Sequence, residues 1–127
     1  MVGRACPDAA LDHIQKFTPE GKLLAFWGNE SSEPGGFGPP PSNKDGTPGM
    51  GGPISICVDR ENRVWVSATN SRVQQFSNDG KYLREMGGEG TEPGRFDLPH
   101  GIALDSGGTS LYVTDTMNYR IQKFAVG

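Results

Sequence analysis

The chain has 127 residues and a formal net charge of −3. That length holds one domain at most, and the acidic balance leaves no basic footprint for nucleic acid or an anionic membrane surface. With 19 glycines and 10 prolines among short apolar runs, the composition points to an all-β protein rich in turns.

Residues 1–11, "MVGRACPDAAL", contain no apolar run, so little structure is predicted for this N-terminal segment. It does not read as a signal peptide, and no stretch approaches the ~18 apolar residues of a membrane helix. The compartment is left open. Cys6 and Cys57 fit neither metal-ligand spacing nor a disulfide framework. Cys57, inside "ISICVD", reads as a small buried hydrophobe.

Residues 12–28 hold two strand signals, "IQKF" and "KLLAFWG", and are expected to form half of a strand unit. Residues 29–52 read as a Pro/Gly-rich loop with an insert. Pro34 to Pro53 spans 19 positions where Pro93 to Pro99 spans 6, so 13 residues are extra. Residues 39–51, without apolar periodicity, are predicted to be the most mobile part of the ordered domain. Residues 53–87 alternate apolar and polar through four short runs, and "SNDG" (77–80) is a hairpin signal. Residues 88–127 repeat three of those runs. "LPHG" turns the chain into "IALD", "SGGTS" turns it again before "LYVTD", and "TMNY" leads into "RIQKF".

The chain repeats itself. "EPGGF" (33–37) returns as "EPGRF" (92–96), "IQKF" (14–17) as "VQQF" (73–76) and again as "IQKF" (121–124). "PEGKLLAFWG" (19–28) matches "NDGKYLREMG" (78–87), and "PISICVDRENRVWVS" (53–67) matches "PHGIALDSGGTSLYVT" (99–114). The first and second copies are offset by 59 residues, the second and third by 46 to 48. Self-similarity at this period is the mark of a solenoid, propeller or array, and four short antiparallel strands per unit describe a propeller blade. The fold expected is all-β: part of a β-propeller, with two blades and one half blade. The chain is expected to start within one blade and stop one strand short of completing another, as a piece of a longer propeller.

These motifs resemble the NHL repeat: a Pro-x-Gly opening at Pro99–Gly101, a "YVTDT-x-N-x-RIQKF" close and "EPGRF" ahead of it. The resemblance covers residues 12–127. It implies a propeller, commonly six-bladed, used mainly as a binding scaffold. The middle copy departs from the pattern, with Ala68 where the third has Asp115, and the first copy has His13 where the others have arginine.

Asp115, Asn118 and Arg120 are the polar constellation of the third copy and the candidate binding residues, together with His100. Their structural reading is that Asp115 accepts backbone N–H groups of the turn while Arg120 pairs with it across the hairpin. Asp59 and Asp105 likewise close strands before turns. "LPHG" is similar to the opening motif of the peptidyl-hydroxyglycine amidating lyases, in which several such histidines hold zinc. That likeness makes His100 a metal candidate, but the matching position of the middle copy is Gly52-Pro53-Ile54-Ser55, without histidine. A zinc or triad motif is missing from the spacing. The expectation is therefore a non-enzymatic scaffold with no cofactor, binding a protein or small molecule at the propeller rim. Neither nucleic acid nor membrane is expected as a partner, and the open blade edges are expected to favour self-association. The competing readings are a fragment of a propeller lyase of the amidating or streptogramin type, and a self-associating module.

Overall fold

The alternating runs become nine β-strands in the computed structural model, which describes residues 13–38, 45–46 and 51–126. The N-terminal segment 1–11 with Cys6, and the 39–51 insert apart from residues 45, 46 and 51, lie outside the described residues. The strands are β1 (Ile14–Phe17), β2 (Leu23–Trp27), β3 (Pro53–Val58), β4 (Val64–Ala68), β5 (Arg72–Phe76), β6 (Tyr82–Gly87), β7 (Pro99–Leu104), β8 (Ser110–Asp115) and β9 (Arg120–Ala125). They form three separate antiparallel sheets in chain order: β1-β2, β3-β4-β5-β6 and β7-β8-β9. No α-helix occurs among the described residues. A short 3₁₀ turn spans Thr116–Asn118, and Tyr119 follows it in the left-handed region.

Period-two alternation sorts each strand's side chains to opposite sheet faces. In β4 both faces are covered, so all five residues are buried. Val64, Val66 and Ala68 join Ile14, Phe37 and Phe76 in one core, between the first hairpin and the middle blade. Trp65 points the other way and joins Val73, Phe96, Leu111 and Val113 in a second core, between the middle and third blades. The blades thus pack face to face through two cores. Trp65 and Tyr112 hold the same place in their blades, opposite Cys57 and Gln75 in one and Ala103 and Lys123 in the other. Arg84 lies over the Trp65 ring and Lys123 over the Tyr112 ring, at 5.1 and 5.7 Å from the centroids.

Turn chemistry follows the sequence closely. Asp59 accepts the N–H groups of Glu61 and Arg63 at 3.0 and 2.9 Å, and Asp105 accepts those of Thr109 and Ser110 at 2.9 and 3.2 Å. Gly87 lies at φ +103 beside Phe96, whose ring carbon is 2.4 Å from where a Cβ would sit. Only glycine combines that backbone with so close an approach. Two local expectations differ: Asp115 accepts no N–H of the turn that follows it, its backbone donor being the Asp97 N–H ahead of β7, and the entry to β7 is placed differently. Pro99, His100 and Gly101 do not form a turn ahead of the strand but are its first residues, and the β7–β8 register is irregular between Pro99 and Ile102. The turn falls one residue earlier. Leu98 sits at φ 58 where the middle blade has Gly52 at φ 111.

Candidate functional site

Two clamps of the same design position the chain ahead of each blade. In the third blade, Asp115 ends β8 fully buried and receives four donors on its carboxylate. These are the Asp97 N–H at 2.7 Å, Arg120 Nε at 2.8 Å, Asn118 Nδ2 at 3.0 Å and Gln122 Nε2 at 3.1 Å. Arg120 then spreads its remaining N–H groups over the carbonyls of Thr91, Glu92 and Arg95, at 2.8, 2.9 and 3.1 Å. Gln122 accepts from Gly94 N at 2.8 Å and donates to the Arg95 carbonyl at 2.7 Å. Asn118 donates to the Gly90 carbonyl at 2.9 Å. The loop holds no strand of its own, so these side chains satisfy backbone groups that a sheet would otherwise pair. Phe96 at the loop's end is thereby seated in the second core.

The middle blade does the same without the aspartate. Gln74 accepts from Gly35 N and donates to the Gly36 carbonyl, both at 2.7 Å. Arg72 donates to the Gly36 and Glu33 carbonyls at 2.8 and 3.2 Å, and it pairs with Glu85 at 3.3 Å. Asn70, with its amide oriented to satisfy both groups, accepts from Arg72 at 2.8 and 3.1 Å.

Burial by itself would raise the Asp115 pKa, but the bonds from Asp97 N–H, Asn118, Arg120 and Gln122 outweigh it. The carboxyl is held below its ordinary value, as hydrogen bonds to the charged form require. Asp59 behaves alike: burial raises it, and the Arg63 backbone N–H, the Trp65 indole and the Arg63 guanidinium bring it lower.

The structure therefore gathers Asp115, Asn118 and Arg120 into one group and leaves His100 outside it. His100 is exposed near the start of β7, and its carbonyl accepts from Ser67 Oγ at 3.2 Å. Among the described residues no three His, Cys, Asp or Glu side chains gather where they could hold a metal ion. The sequence reading passed over Gln74 and Gln122, each of which clamps both an N–H and a carbonyl of its loop. Their signal was the glutamine held inside the apolar "IQKF" and "VQQF" runs, a polar residue where alternation alone gives no reason for one.

Above the clamps lies a pocket of about 520 Å3 between the two blades. It is lined by the β4–β5 turn (Ser71, Arg72), the stretch after β6 (Glu89), the lead-in to β7 (Asp97, Leu98) and the turn after β8 (Met117). No motif of the sequence marked it, because its walls come from five segments distant along the chain, the loop ahead of β3 (Ser32, Gly38) among them.

The profile of the NHL repeat matches residues 96–124, the span from Phe96 through the Asp115–Arg120 clamp to Phe124. Residues 96–124 are an NHL repeat. The chain is 32% identical over 93 residues to human NHL repeat-containing protein 3, covering 62% of this chain and 26% of that protein. It is 42% identical over 59 residues to the mouse peptidyl-glycine alpha-amidating monooxygenase, covering 43% of this chain and 6% of that protein. Among solved structures it is similar to a streptogramin B lyase, with a TM-score of 0.55 at 16% identity, over 91% of this chain and 34% of that one. The fold is accordingly part of a β-propeller, and the chain spans a small part of the length of the curated relatives it matches.

Proposed function

We propose that this NHL-repeat segment is a non-enzymatic binding scaffold, with its ligand site in the rim pocket between the middle and third blades. The observation that carries the reading is the division of labour between polar groups. Asp115, Asn118 and Arg120 direct their hydrogen bonds inward to the loop, whereas the pocket above them is walled by turns. Turns on a rigid scaffold are where binding residues concentrate, and a pocket of this size suits a small molecule or a few residues of a protein. Arg72 is engaged by Glu85 and by loop carbonyls, while Glu89, Asp97, Leu98 and Met117 line the same space. A fragment screen read by backbone amide chemical shifts tests this. Shifts are expected at residues 69–72, 88–89, 97–98 and 117, and hits that map instead to the His100 surface would refute it.

A second reading, in which the segment belongs to a propeller lyase, is favoured by the 42% identity to the amidating monooxygenase. It is tested by zinc content after dialysis. Stoichiometric zinc that disappears in His100→Ala supports the lyase reading, and zinc-free protein counts against it.

A further inference from the structure

The charges around the rim pocket are unequal. Among the described residues Arg72 is the one cation that lines it, and every N–H of that guanidinium is already engaged. Its Nη1 donates to the two Glu85 oxygens at 3.4 and 3.3 Å. Its Nη2 donates to the Glu33 and Gly36 carbonyls at 3.2 and 2.8 Å, and Nε to the Asn70 amide oxygen at 3.1 Å. A guanidinium has no other donors and no acceptor, and Glu85 balances its charge. Arg72 therefore offers a ligand nothing.

The lining carboxylates are in the opposite state. Asp97 is half-buried and Glu89 exposed, and neither carboxylate has a partner among the described residues. The backbone of Asp97 is held, its N–H by Asp115 at 2.7 Å and its carbonyl by the Met117 N–H at 3.0 Å. The clamp thus fixes the residue and leaves its carboxylate unpaired. A further cation, Arg95, runs along Gly88 and donates to the Gly87 carbonyl at 3.4 Å, but it does not line the pocket. Leu98 and Met117 supply apolar wall.

An anion in this space would face two carboxylates with no free donor beside them. A neutral apolar body would strip water from those carboxylates and return no hydrogen bond. A cation with N–H groups gives them charge-assisted bonds, and the apolar walls of a recess strengthen the attraction. A bare divalent metal ion is the poorer match. It takes about six or more oxygen ligands, and no three His, Cys, Asp or Glu side chains gather among the described residues.

We propose that the rim pocket takes a small organic ammonium. Its charged nitrogen sits against Asp97 and Glu89, and its apolar body lies on Leu98 and Met117. This rests on the reading of the pocket as the ligand site and adds the chemical class of the ligand.

The test compares three probes of one shape and different charge: phenethylamine, phenethyl alcohol and phenylacetate. Each is titrated into the whole chain at neutral pH and followed by backbone amide shifts at residues 97, 98 and 117. The amine is expected to bind about tenfold or more tightly than either of the others, the advantage of hydrogen bonds to a charged group. Its affinity should fall as salt is raised, while that of the alcohol holds. The double variant Asp97→Asn, Glu89→Gln should lose the preference for the amine, and Arg95→Gln should keep it. Neither carboxylate supports the fold, so the double variant is expected to give a wild-type amide spectrum away from the pocket. Alcohol or phenylacetate binding at these amides as tightly as the amine overturns the proposal and leaves the pocket reading standing. Amine binding that persists in the double variant, or that shifts only other surfaces, also overturns it. Silence from all three probes does the same, and the fragment screen then decides the pocket reading separately.

Discussion

Replacing Asp115 with alanine removes the hub of the third-blade clamp. Four hydrogen bonds to an ionised acceptor are lost, from Asp97 N–H, Asn118, Arg120 and Gln122. At roughly 1.5–3 kcal/mol each the gross loss is large, but the fully buried carboxylate also costs several kcal/mol to desolvate. The middle blade shows what survives without it. With Ala68 in the equivalent place, Arg72 and Gln74 still hold the loop carbonyls. The net cost to the loop is therefore expected at about 3 kcal/mol, near the low end for breaking a buried pair. Amide hydrogen exchange reads this locally, without assuming cooperative unfolding of the whole chain. A loss of about 3 kcal/mol makes the amides of residues 94–97 exchange about two orders of magnitude faster, while β3 is little changed. Below about pH 4 the difference should shrink, because the depressed pKa makes Asp115 stabilising above its unfolded value of 3.8 and progressively less so as pH falls toward its folded value. Exchange in the loop changed by less than threefold at neutral pH would refute the clamp.

Gly87→Ala should destabilise the chain by about 3 kcal/mol, combining a positive φ with overpacking against Phe96; a urea midpoint equal to wild type would contradict the close approach. Asp59 and Asp115 both have lowered pKa values, so the acid limb of a stability–pH profile should fall mainly below pH 3.8 and flatten in the double Asp→Asn variant. A profile unchanged by the double substitution would count against both sites. Burial first, and then the Asp59 charge, pushes the Cys57 thiol up to about 11. Its alkylation by iodoacetamide at pH 8 should be about two orders of magnitude slower than that of an ordinary thiol, and labelling within tenfold of a free cysteine would show that the strand is open.

The propeller architecture was legible because it rests on local signals that recur. Alternation, glycine turns and the repeated "EPGxF" and "xQxF" motifs each report on one strand or loop, and repetition removes the ambiguity of any single copy. The grouping of Asp115, Asn118 and Arg120 was legible for the same reason, since all three lie within six residues. Their partners were not. The carbonyls they satisfy lie at Gly90, Thr91, Glu92 and Arg95, and backbone groups leave no trace in side-chain chemistry. The extent of the turn before β7 was legible only in part: "LPHG" reads as one turn, but only Leu98 has the left-handed backbone, with a branched side chain where the middle blade has Gly52, and Pro99–Gly101 belong to the strand. The pocket depends on how two blades pack, which no single motif specifies.

The measurement that bears most directly on the scaffold account is a paired titration of the best rim-pocket fragment against Met117→Lys and His100→Ala. Met117 is 53% exposed, so the lysine changes the pocket wall without disturbing either core. The account predicts that Met117→Lys weakens binding at least tenfold while His100→Ala leaves it within twofold of wild type. Binding that survives Met117→Lys and is lost in His100→Ala would contradict it.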